Sequence, residues 1–185
     1  MQSDGITPDT VTPDTVTPDT KDWTWVLERP CPECGYDAAA GDPLAVGDVT
    51  RGTLPRWEAA LARADVAVRP APGVWSALEY GAHVRDVFRV FDGRLRSMIE
   101  ENDPQFPSWD QDATAVAEDY AHQDPEVVAA ELVAAGAAVA DRFDAVGTDQ
   151  LDRPGRRSNG SLFTVRTLGQ YFLHDVVHHL HDVRA

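Results

Sequence analysis

The chain has 185 residues, with 16 Lys and Arg against 31 Asp and Glu and a formal charge of -15. A surface this acidic repels phosphates, which excludes the simplest nucleic-acid-binding functions, and it steers cations and neutral small molecules instead. At 43% hydrophobic and 25% charged residues the composition is globular. No apolar run approaches the ~20 residues of a membrane helix, and the N-terminus lacks a basic region followed by an apolar core. A soluble, cytoplasmic protein acting on a small molecule, with no membrane or nucleic-acid partner, is expected.

The first twenty residues repeat TPDT three times, at Thr7 to Thr10, Thr12 to Thr15 and Thr17 to Thr20. Proline at every fifth position blocks a helix and little apolar surface is available, so 1–20 is expected to be a disordered tail. From 21 to 43 the sequence carries Trp23, Trp25, Cys31, Cys34, Pro30 and Pro32. It is too apolar to stay in water and too rich in proline for a long helix, and reads as an ordered irregular segment packed on the main domain.

Residues 44–185 read as four amphipathic helices. The first spans roughly Leu44 to Ala64, with Leu54, Trp57, Leu61 and Ala64 at helical spacing. The second begins at Trp75, where Ser76 and Glu79 form an S-x-x-E capping box, and presents Val84, Val87, Phe88, Phe91, Leu95 and Met98 to a core before ending near Asn102. The third has Asp124 as N-cap and Pro125 in its first turn and runs to Gly147; the fourth runs from about Phe163 to Asp182. No stretch shows strand alternation. The connection from about Asn102 to Asp124 is long for neighbouring helices and implies a crossover. The fold class is therefore all-α, a four-helix bundle with a crossover connection.

Four of the six histidines fall within YFLHDVVHHLHDV near the C-terminus. On a helix His174, His178 and His181 lie within about 60° of one another, while His179 points elsewhere and is expected, like His181, to be exposed. His174 and His178 are one turn apart, a spacing that lets two imidazoles share an ion. His83, at the edge of the second helix's apolar stripe, is the candidate third ligand, because a buried imidazole needs a partner. Three neutral histidines with an open fourth position favour zinc, with nickel and iron as alternatives. Glu79 is a candidate ligand or base whose capping role also accounts for it. Asp175 either supports a ligand or base or is a solvated helix residue. Cys31 and Cys34, at C-x-x-C spacing, suit half of a zinc site, a redox pair or two reduced thiols in a packed loop. A bolder alternative folds them over the open end of the bundle, near the metal.

WSALEYGAHVRDV, from Trp75 to Val87, followed by LHDVVHHLHDV, from Leu173 to Val183, resembles the DinB-like superfamily over about Leu44 to the C-terminus. The resemblance implies a bundle with a crossover holding a divalent metal on His83, His174 and His178. It further implies a thiol-dependent S-transferase using a low-molecular-weight thiol such as mycothiol, activated by the metal, with Asp175 and Glu79 as candidate catalytic groups. The alternatives are a non-catalytic stress-response or binding protein that keeps the metal site, and a metal-dependent hydrolase. The fifteen arginines against one lysine, Lys21, hint at a mycothiol-using source. The alanine-rich third helix leaves room for packing within the chain or in a homodimer.

Overall fold

A computed structural model describes Val16 and residues 21–185, so the tail expected at 1–20 lies, apart from Val16, outside the described residues. Four long helices form the core: α1 (Val46–Leu61), α2 (Ala77–Glu100), α4 (Pro125–Asp144) and α5 (Val165–Asp182); a short α3 (Gln111–Ala117) precedes α4. Their starts follow from local chemistry. The Ser76 hydroxyl accepts from Glu79 N–H, and the Glu79 carboxylate accepts in return from Ser76 N–H, closing the expected capping box. Asp124 caps Glu126 N–H with Pro125 in the first turn of α4, and Thr164 caps α5 through Thr167.

The helices pack in a ring in which α4 touches both α1 and α2, and α5 touches both α1 and α2. The diagonals are therefore α1 with α2 and α4 with α5, so the α1–α2 and α4–α5 connections cross the bundle ends, whereas the long connection around 102–124, expected to be the crossover, joins the neighbours α2 and α4. Val87, Phe88, Phe91, Leu95 and Met98 of α2 are all buried, as are Leu132 and Val139 of α4 and Phe172 and Val176 of α5. Each contributes about 1.5–3 kcal/mol of burial. Gly136 lets α4 approach so closely that a Cβ there would lie 2.5 Å from Leu54 and 2.8 Å from Phe88.

Two elements depart from the expectation of four helices and no strand. One is α3, inside the long connection. The other is a small sheet in the order β1 (Gln105–Phe106), β2 (Pro154–Arg157), β3 (Leu162–Thr164), with β1 parallel and β3 antiparallel to β2. Strands of two to four residues are too short to show alternation in sequence. Leu162 to Thr164 pair with β2, which is why α5 begins at Val165 and not at Phe163.

Residues 21–43 run across α5. A 3-10 turn, Trp23–Leu27, buries Val26 and packs on α5; Cys31 and Ala38 are also buried, and Gln170 of α5 donates to the Ala38 carbonyl at 2.6 Å.

Candidate metal centre

The histidine-rich turns of α5 present two donor pairs, each one helical turn long and offset from the other by one residue, about 100° of rotation. Asp175 and His179 face α2; His174 and His178 face the 21–43 segment. The expected triad is therefore divided. His83 gathers with Asp175 and His179, whereas His174 and His178 gather with Cys31 and Cys34, the ligand atoms of each group lying within 4.8 Å of one another. Among the described residues no such group unites His83 with His174 and His178.

In the first group, His83 Nε2 lies 3.4 Å and His179 Nε2 lies 3.5 Å from Asp175 Oδ1. His83 is fully buried, stacked on Trp109 with ring centroids 5.3 Å apart and flanked by Trp75 at 5.4 Å. Trp109 is itself anchored by a hydrogen bond from its indole N–H to Thr114. Neither nitrogen of His83 has a hydrogen-bond partner among the described residues, and neither does Asp175 Oδ1. Buried polar atoms left without partners are costly, on the order of 1–3 kcal/mol each. Two of the three, His83 Nε2 and Asp175 Oδ1, face each other, and a divalent cation held by them and His179 would remove their cost, so the donor set fits a metal. His179 Nδ1 lies 2.9 Å from Asp182 Oδ2, an orientation that leaves Nε2 as the donor atom toward Asp175 and His83. Burial holds His83 below the usual histidine range, keeping it neutral as a ligand must be. Burial alone would raise Asp175, but attraction to His83 outweighs it and the carboxyl stays below its ordinary value.

His179 thus corrects the expectation of a solvent-facing residue: it is largely buried, its ring 4.8 Å from that of His83. D-x-x-x-H has the same one-turn spacing as H-x-x-x-H, and that was the available signal. His181 is exposed, as expected, and His122 is exposed as well.

Glu79 is buried beside this group but committed elsewhere. Its carboxylate accepts from Ser76 N–H and Oγ, each at 2.8 Å, and from Arg69 Nε at 3.0 Å. Burial would raise its pKa, but Arg69 and Ser76 prevail and hold it low. It is a structural cap and ion-pair partner, and it belongs to neither ligand group.

The second group lies one face around α5. Cys31 Sγ is 3.7 Å from His178 Nδ1, both cysteines are free thiols, and His174 Nε2 is buried with no hydrogen-bond partner among the described residues. Burial pushes the Cys34 thiol up to about 11 and His174 down to about 4. The α5 members of both groups, His174, Asp175, His178 and His179, line one cavity of about 280 Å³ whose aromatic walls include Trp23, Trp75, Tyr80 and Tyr171; His83, Cys31 and Cys34 lie behind that lining.

Residues 47–183 match the family model of the DinB superfamily. No curated protein matches the sequence. Among solved structures, the fold is similar to that of YfiT from Bacillus subtilis, "a probable metal-dependent hydrolase with an unusual four-helix bundle topology". The TM-score is 0.65 at 18% identity, over 74% of this chain and 81% of that one. That likeness is one of fold.

Proposed function

The chain belongs to the DinB superfamily, and from that premise we propose that it is a metal-dependent enzyme in which His83, Asp175 and His179 hold a divalent ion at the base of the cavity. The observation that carries this reading is the convergence of unpartnered buried atoms on His83 and Asp175. Two imidazoles and one carboxylate suit zinc and equally ferrous iron, with nickel a further candidate. When bound, such an ion supplies Lewis acidity toward a thiol or water substrate.

The reaction that the surrounding residues favour is transfer of a low-molecular-weight thiol, such as mycothiol, to a small electrophile. Neither carboxylate expected to act as a base is available for it: Glu79 is held by Arg69 and Ser76, and Asp175 serves as a metal ligand in this reading. A free thiol, with a pKa of about 8.5, is close to ionisation at neutral pH, so its activation by the ion needs no dedicated base. Trp23, Trp75 and Tyr80 offer flat faces on which a polar thiol carrier can stack. Hydrolysis is the second reading, favoured by the description of YfiT.

Turnover of a model electrophile by zinc-loaded protein, with and without mycothiol, tests both. Thiol-dependent product formation that is lost in His179→Ala is expected. Turnover independent of thiol would replace transfer by hydrolysis, and zinc binding without any turnover would leave a binding protein.

A further inference from the structure

We propose that Cys31, Cys34, His174 and His178 form a separate structural zinc site that staples residues 21–43 onto α5. The inference goes beyond the proposed reaction and does not rest on it. Both cysteines precede the 47–183 region that matches the family, so the site joins a segment outside that region to a helix within it.

The donor set is C-x2-C with H-x3-H, two thiols and two imidazoles, the composition of a closed tetrahedral zinc site. The backbone around the cysteines is already shaped for it. Gly35 N–H donates to the Cys31 carbonyl at 2.9 Å, Cys31 N–H donates to the Tyr36 carbonyl at 2.8 Å, and Gly35 takes φ +76, a left-handed turn that brings the two sulfurs to one side. All four ligand atoms lie within 4.8 Å of one another. The Cys31 Sγ to His178 Nδ1 distance of 3.7 Å is close to the ~3.6 Å edge of a tetrahedron built from Zn–S of ~2.3 Å and Zn–N of ~2.0 Å.

Two further observations point to a ligand. His174 is 3% exposed, and its Nε2 has no hydrogen-bond partner among the described residues. His178 turns Nδ1 to Cys31 while its Nε2 faces Glu33 at 3.5 Å and Asp182 at 3.8 Å, the carboxylate support that ligating histidines commonly have on their second nitrogen. Trp23 covers both imidazoles, at 5.4 and 5.1 Å between ring centroids. Binding releases two thiol protons to solvent, and two thiolates then balance the ion's double charge, so the buried site carries no net charge. The staple fixes Trp23 and Glu33, which line the cavity.

The test is cobalt(II) titration of the metal-free full-length protein under reducing conditions. A thiolate-to-cobalt charge-transfer band with tetrahedral visible bands is expected, retained in His83→Ala and lost in Cys31→Ser/Cys34→Ser. On the wild-type zinc protein, which avoids any folding defect of a variant, p-hydroxymercuribenzoate should release one zinc per chain and raise hydrogen exchange across residues 23–38. Cobalt binding without a thiolate band, or no mercurial-released zinc, overturns the site. Zinc release with unchanged exchange overturns the staple. Loss of the cobalt signal in His83→Ala alone would instead implicate the other group.

Discussion

His83 Nε2 and Asp175 Oδ1 face each other at 3.4 Å, and neither atom has a hydrogen-bond partner among the described residues. Such a pair is poor for stability and well placed for a cation. His83→Leu tests both roles. Leucine removes the orphaned imidazole but strands the Asp175 carboxylate, whose pKa His83 holds down, so the metal-free protein should lose about 1–3 kcal/mol. The same change should weaken zinc binding at this centre by at least about 100-fold. Thermal unfolding with and without chelator, beside zinc competition titrations, checks both effects; a metal-free variant as stable as wild type would show that Asp175 does not depend on His83.

Glu79→Ala should act on stability and not on chemistry. It removes the capping-box acceptor of α2 and the ion pair between Glu79 and Arg69. A loss of about 2–3 kcal/mol is expected in chemical denaturation, with zinc content unchanged. Selective loss of zinc at full stability would return Glu79 to the site.

Asp86 governs the acid limb of stability. It accepts from Tyr120 Oη at 2.6 Å and pairs with Arg85 and Arg89. Burial would raise its pKa, but Arg85 and Tyr120 hold it below the ordinary 3.8. A carboxyl whose folded pKa is depressed stabilises the fold fully above its unfolded value, and that contribution is lost as pH falls through the folded value. Asp86→Asn should cost about 1–2 kcal/mol at neutral pH, because it removes the charge that Arg85 and Tyr120 bond while Arg85 keeps Glu131 and Gln123. It should also flatten the dependence of stability on pH below about 4. Urea titrations at pH 3 to 7 read both effects.

Gly136→Val should lower the unfolding midpoint. The added carbons meet Leu54 and Phe88 where even a Cβ has no room, at a cost of about 1–3 kcal/mol. Calorimetry reads the shift, and an unchanged midpoint would mean that α4 slides away from α1 and α2 without penalty.

The long helices were legible because Ser76, Asp124 and the stripe from Val87 to Met98 carry strong local signals of capping and period. The short sheet and α3 were not, since their stability comes from pairing and docking at the end of the bundle. At the site, sequence spacing identified His83 and the donor-rich turns of α5. The division of donors between two groups depends on the rotation of α5 about its axis, which tertiary packing sets. A difference of one residue, about 100°, decides whether His174 or Asp175 faces His83. The proximity of Cys31 to His178 spans 147 residues and could be raised only as a bold alternative before the fold was in hand.

The diagonal placement of α1 and α2 also bears on how the chain is made. During synthesis α1 and α2 leave the ribosome first, yet each finds its main partner in α4. Trp57 and Phe88 therefore gain most of their cover only once α4 has been translated, and α1 and α2 cannot collapse first as a hairpin of their own. The nascent N-terminal half is the stage most exposed to aggregation, and it is there that chaperone dependence or slow refolding would first be felt.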